Sequence, residues 1–267
     1  MTSASKILKF SAVLLFSTLF TGCMSTSLRS MATQPIPAGH SPRMDPQSKN
    51  SEMNFSIDGF GILNNTWFNT KKINAGGGNL NFTYRLGETF SPLFMSTNIG
   101  AFAGSVQFGC DRSSHCSESY RAWRQTENGR DKYSFWSLTE QIVAGAEFNL
   151  PANLFIGFDG GAKLFQGGGE YDDKRQELED RIPSVKNSDD GYGIAPLVDF
   201  WLGYYVGNNG KYGALSLQGA WSTSYRDEHE LRIPVSLAYF HSSGFHGGIT
   251  WIGKTSFVLN LGKTFSF

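Results

Sequence analysis

From Met53 onward, apolar and polar positions along the chain alternate with a period of two. In the last segment Phe257, Leu259, Leu261, Phe265 and Phe267 share one face, with Lys263 interrupting them, while Val258, Asn260, Gly262, Thr264 and Ser266 share the other. Leu80, Phe82, Tyr84 and Leu86 oppose Asn79, Asn81, Thr83 and Arg85. Leu154, Ile156 and Phe158 oppose Gly157, Asp159 and Gly161, and Leu231, Ile233, Val235, Leu237 and Tyr239 oppose Arg232, Ser236 and Ala238. Successive side chains of a strand point to opposite faces, so this pattern describes a sheet with one apolar and one polar surface. The segments are close to the roughly 9–11 residues that cross a bilayer as a tilted strand. The pattern predicts ten strands, near 53–63, 77–87, 92–107, 134–149, 153–166, 192–206, 212–224, 230–240, 245–252 and 256–267. In the third, Phe94, Phe102 and Val106 oppose the face chosen by Leu93, Met95 and Ile99, and the ninth is short. If two of the ten are not crossings, the count falls to eight. Long connections (64–76, 108–133, 167–191) mostly alternate with short ones (88–91, 150–152, 207–211), and the later connections are all short.

Alternation alone does not say whether the apolar face meets lipid or a soluble core. Charge decides it. The net charge is zero and charged residues are only 17% of the chain, which excludes the basic stripe of a nucleic-acid-binding protein. Residues 109–134 and 167–190 hold 21 of the 46 Asp, Glu, Lys and Arg residues, whereas a soluble sandwich spreads charge over its outward strand positions. The polar strand face is Gly, Ser, Asn and Thr with isolated Asp58, Arg85, Glu147, Asp159, Lys163, Asp199 and Arg232. Such a face suits a packed barrel interior whose charges satisfy one another. Trp67, Phe90, Trp136, Trp251 and Phe267 lie near strand ends, where interfacial aromatic girdles form. After residue 22 no apolar run reaches the roughly 18 residues of a membrane helix, and a closed barrel is the alternative that satisfies every backbone group in lipid. The fold expected is all-β: an antiparallel up-and-down transmembrane barrel. A periplasmic β-sandwich on a lipid tether is the competing architecture.

The two ends of the chain add an address. Lys6 and Lys9 precede an apolar run from Phe10 to Phe20, the layout of a secretory signal peptide. The run ends in Phe20-Thr21-Gly22-Cys23, which resembles the lipobox of bacterial lipoproteins, although that family usually has Leu where Phe20 stands. The resemblance implies acylation of Cys23 (the palmitate-type modification) and handling by the lipoprotein export machinery. Met24 follows, so the aspartate that retains many such proteins at the inner membrane is absent. Residues 24–52 are rich in Ser, Thr, Pro, Gln and Asn, a composition that reads as a flexible tether. The organisation expected is therefore 1–22 signal peptide, 23–52 lipidated tether and 53–267 barrel. Asn260-Leu261-Gly262-Lys263-Thr264-Phe265-Ser266-Phe267 resembles the C-terminal β-signal of outer-membrane barrels, with Asn260, Gly262, Phe265 and Phe267 in the motif positions. That resemblance implies recognition by the barrel assembly machinery and residence in the bacterial outer membrane. With Cys23 assigned to lipid, Cys110 and Cys116 remain as a pair that an oxidising compartment would oxidise to a disulfide. A metal site at Cys110, His115 and Cys116 lacks a fourth ligand.

Little in the chain points to catalysis. His241 and Ser243 are two apart and share a strand face, where an imidazole could activate a hydroxyl. The pair resembles the His-x-Ser arrangement of outer-membrane lipid A deacylases, but no Asp or Glu follows Glu230 and Gly244 stands where that family has Asn. A polar turn, His-Ser-Ser-Gly, is the favoured account of it. Asp227, Glu228, His229 and Glu230 are consecutive and so do not converge on one point. Gly76-Gly77-Gly78 and Gly167-Gly168-Gly169 lack the lysine and helix context of a phosphate loop and read as flexible joints. No cofactor is expected. The leading reading is a non-enzymatic barrel that meets an external ligand through its long loops. A lipid hydrolase and a narrow channel are the alternatives.

Overall fold

The computed structural model describes residues 26–34, 40–43, 50–65, 70–87, 92–110, 116–225, 233–252 and 256–267. In chain order the elements are β1 (Thr26–Leu28), β2 (Glu52–Asn65), β3 (Thr70–Arg85), β4 (Leu93–Phe108), α1 (Glu118–Gln125), α2 (Glu127–Arg130), β5 (Lys132–Leu150) and β6 (Leu154–Gly168). They continue with α3 (Glu170–Arg181), β7 (Val185–Asn187), β8 (Tyr192–Val206), β9 (Gly213–Ser222), β10 (Pro234–Phe240), β11 (Phe245–Ile252) and β12 (Ser256–Ser266).

Ten of these strands close into a barrel in the order β10-β11-β12-β2-β3-β4-β5-β6-β8-β9, each pair antiparallel. The closing seam pairs β12 with β2 from Phe257↔Leu63 to Ser266↔Asn54, and Met53 and Phe267 exchange backbone hydrogen bonds of 3.2 and 2.9 Å beside it. The count is ten, not eight, and a closed ring of pairings rules out the sandwich. The faces fall as the alternation requires. Leu80, Phe82, Ile142, Ile156, Phe158, Phe200, Leu202, Leu217, Leu237 and Leu259 point outward and are exposed, while Asn79, Asn81, Thr139, Gln141, Ser216, Gln218, Thr250 and Asn260 are buried inward. An apolar outside and a polar inside is the arrangement of a lipid-facing barrel. Trp136 and Phe267 of the expected girdle are exposed, and Trp67 and Phe90 lie outside the described residues.

Three departures from the sequence pattern have physical causes. Strand β3 begins at Thr70, well before 77, because both neighbours extend its ladder: Gly77 pairs with Phe60 on β2 and with Phe102 on β4. Gly76–Gly78 therefore lie inside a strand instead of forming a flexible joint. The competing faces of β4 are both real, since Leu93, Met95 and Ile99 face outward while Phe94, Phe102 and Val106 are buried in a lumen that has something apolar to meet. Finally, the two long connections fold. Ser117 and Thr126 cap α1 and α2 by accepting from Tyr120 N and Gly129 N, and α3 carries Glu170, Asp172 and Asp173 in its first turn and Arg181 in its last, complementing the helix dipole. Together they cap the long-loop end of the barrel around Phe108, Tyr120, Tyr171, Leu178 and Val185.

The largest correction concerns the expected tether. Residues 26–34 and 40–43 do not run free: all but His40 are buried, and that residue is nearly so. Their low apolar content argues for disorder only if the backbone cannot find partners, and here the barrel wall and cap bind much of it.

Candidate functional site: the occupied lumen

The N-terminal segment meets the barrel first at the long-loop end. Strand β1 pairs in parallel with β7, Thr26↔Val185 to Leu28↔Asn187. Ser117 N donates to Thr26 Oγ1 at 2.9 Å, Tyr171 Oη to Arg29 O at 3.1 Å and Arg175 Nη1 to Leu28 O at 3.3 Å. Asp189 accepts from Ser30 N at 3.1 Å and lies 3.4 Å from Arg29 Nε. Burial pushes the Asp172 carboxyl up from the usual carboxylate range, while the Arg175 guanidinium pulls it back. Below this the chain turns through Met31–Thr33 and passes against β6. A side chain at Gly167 would place its Cβ 2.8 Å from Ala32 Cβ and 3.0 Å from Ser30 Oγ, so this glycine makes room for the segment. Lys163, fully buried, donates from Nζ to Gln34 O at 3.0 Å and Thr33 O at 3.5 Å and lies 5.0 Å from the Tyr225 ring.

The segment reappears near the short-turn end. His40 stacks on Trp201 with ring centroids 3.8 Å apart, and its backbone N and O pair with the Gln218 amide at 3.3 and 3.0 Å. Glu147 is the hub. It meets His40 Nε2 at 2.7 Å, accepts from Arg43 N at 3.1 Å and Trp201 Nε1 at 3.1 Å, and faces Arg85 Nη1 at 3.4 Å. Arg85 also donates to Ser41 O. Between the two attachments lies a cavity of about 40 Å³ bordered by His40, Asn98, Gln141, Asp159, Asp199 and Gln218, room for a few waters. Asp159 and Asp199 are register partners there. Among the described residues no cation lies within salt-bridge distance of either, and one carboxylate oxygen of each is buried without a partner.

A second luminal pair sits at the closing seam. Asp58 on β2 and His246 on β11 both stand in register with Gly262 on β12. The two side chains meet across that strand, and a Cβ on Gly262 would collide with both. The motif glycine thus has a packing reason of its own.

The other residues singled out from sequence are dispersed. His241 Nδ1 and Ser243 Oγ are 2.7 Å apart, but both are exposed in the β10–β11 turn, and Nδ1 also accepts from Ser243 N at 3.1 Å. No carboxylate among the described residues orients His241, so the contact is that of a turn. Cys110 and Cys116 form a disulfide with Cα atoms 6.1 Å apart, joining the end of β4 to the approach to α1; His115 lies outside the described residues. Asn260 is buried on the luminal face and Phe265 and Phe267 are exposed. Cys23, Asp227–Glu230 and Arg232 lie outside the described residues. Sequence reasoning missed His40, Arg43 and Trp201. The available signal was that Arg29, His40 and Arg43 stand in a Ser/Thr/Pro-rich stretch of few charges, while the wall carried charges without evident partners.

No family model and no curated protein matches this chain. Among solved structures it is similar to the outer membrane protein OprG from Pseudomonas aeruginosa (8% identity, 82% of this chain and 97% of that one, TM-score 0.37). It is also similar to the β domain of the Bordetella autotransporter BrkA (9%, 81% and 99%, TM-score 0.37). A third likeness is to Ail, the attachment invasion locus protein of Yersinia pestis, in complex with a heparin analogue (9%, 81% and 97%, TM-score 0.28).

Proposed function

We propose that this chain is a closed bacterial outer-membrane barrel whose working surface is the folded cap at its long-loop end, serving a structural or adhesive role rather than conduction. The observation that carries this reading is the occupied lumen: residues 26–34 and 40–43 lie buried against the inside of the barrel and its cap, and the cavity between their two attachments is about 40 Å³ among the described residues. The apolar exterior supports residence in lipid, and short turns facing the periplasm with long connections outside is the usual orientation. On this reading residues 1–22 direct export, Cys23 is acylated and delivered through the lipoprotein export machinery, and the segment ending in Phe267 is read by the barrel assembly machinery. The cap offers a charged outer surface, including the outward side of α3, to a ligand outside the cell.

The test is conductance in planar bilayers. The full-length protein is expected to insert without discrete channel openings, whereas a chain lacking residues 26–43 but retaining Cys23 is expected to open channels. Openings by the full-length protein would overturn the reading.

A further inference from the structure

We infer that the N-terminal segment threads the barrel from the long-loop end to the short-turn end, so that Thr26, its first described residue, stands at the end that the proposed function turns to the outside of the cell. An acyl group on Cys23 would then anchor the protein in the outer leaflet instead of the periplasmic one. This deepens the proposed function and rests on its orientation and on Cys23 acylation.

Direction follows from the described contacts. Thr26–Leu28 pair with β7 in the cap, Thr33 and Gln34 are held by Lys163, and His40 and Arg43 sit at Glu147. Lys163 is nearer the cap and Glu147 nearer the β5–β6 turn: Lys163 pairs with Gln141, Glu147 with Gly157. Increasing residue number therefore runs from cap to short turns, and the chain then enters β2 at Glu52 at that same end, where Glu52 pairs with Arg85. A tether joined to the inner leaflet would need the opposite arrangement, with its first residues at the short turns. Cys23 precedes Thr26 by three residues, a reach of at most about 11 Å, too short to double back through a barrel that spans about 30 Å of hydrocarbon. The segment's entry is also built in: Gly167 clears its path, and Asp189, Arg175 and Tyr171 bind the backbone of residues 28–30.

The experiment places one epitope at three sites in separate chains: between Ser25 and Thr26, after Arg181 in the cap, and between Pro151 and Ala152 in a short turn. Antibody binding is compared on intact and permeabilised cells, for chains that keep their heat-dependent gel mobility shift. The expected result is full binding on intact cells for the Ser25 and Arg181 sites and none for Pro151. Binding of the Ser25 epitope only together with the Pro151 epitope overturns threading. If the Pro151 epitope alone is reached on intact cells, with Ser25 and Arg181 both protected, threading stands and the orientation beneath it fails. A second measurement is free of insertions: Ser27→Cys with Lys186→Cys, register partners of β1 and β7 in the cap, should form a disulfide between segment and cap. A folded barrel that does not form it overturns the proposal. Labelling with radioactive palmitate, lost in Cys23→Ser, tests the anchor separately from the path.

Discussion

Glu147 and Asp159 face one lumen from adjacent strands, two register positions apart, since Glu147 pairs with Gly157 and Gly145 with Asp159. Glu147 is surrounded by His40, Arg85, Trp201 and the backbone of Arg43. Asp159 faces Asp199. The wall gives Glu147 a cation in Arg85 and a donor in Trp201 and, among the described residues, gives Asp159 no cation, and the N-terminal segment adds His40 and the Arg43 N–H at Glu147. Lys163 shows the converse, a wall cation satisfied by the segment's carbonyls. The wall is thus not charge-balanced on its own. Wall groups pair with one another at Glu147–Arg85 and Asp58–His246, and chain that sequence pattern assigns to a tether completes Glu147 and Lys163.

Breaking the satisfied side of this comparison should have the largest effect. Glu147→Ala leaves Arg85 buried beside His40 with no anion, and loss of one partner of a buried pair costs roughly 3–5 kcal/mol. We expect the temperature at which the gel mobility shift is lost to fall steeply, and the same substitution to cost much less in a chain lacking residues 26–43. Equal costs in both backgrounds would show that Glu147 does not depend on the segment.

A third carboxylate sharpens the contrast. Asp58 finds His246 without help from the segment, because Gly262 lets the pair meet across β12. Gly262→Ala should force the two apart at a cost of about 1–3 kcal/mol, the price of an unsatisfied buried group. In an Asp58→Ala background that cost should largely vanish, and deleting residues 26–43 should not change it. If Gly262 served only as an assembly signal, the loss would appear in insertion yield and be the same with or without Asp58.

Much of the barrel was legible because a period of two is imposed by lipid on one side of every strand. Leu80, Ile156, Leu217 and Leu259 had to face outward, and they do. The luminal side obeys no such rule. Phe94, Phe102 and Val106 broke the pattern of β4 because they meet other buried aromatics and the cap instead of water. The role of His40 was illegible for a related reason: its partners Glu147 and Gln218 are 107 and 178 residues away, and no local periodicity encodes contacts of that separation. The charge-rich connections were read correctly as long and polar at their surface. Their cores, built on Phe108, Tyr120 and Tyr171, were hidden because α3 carries only Tyr171 and Leu178 as apolar residues and the partners they meet lie far away in the chain.

The smallest effect has the opposite sign. Asp159 and Asp199 are apposed carboxylates at a small cavity with no cation beside them among the described residues. Two like charges so placed repel, and each loses hydration. Asp159→Asn keeps the shape, removes one charge and supplies an amide donor to Asp199. It should therefore raise the temperature at which the mobility shift is lost, by an amount corresponding to about 1 kcal/mol, with channel silence unchanged. Asp199→Asn should do the same, and the double substitution should add little to either, since the repulsion is already gone after the first. Destabilisation by Asp159→Asn would mean that the carboxylate has a partner the wall does not provide. Asp159 would then resemble Glu147 in being completed in part from outside the barrel strands.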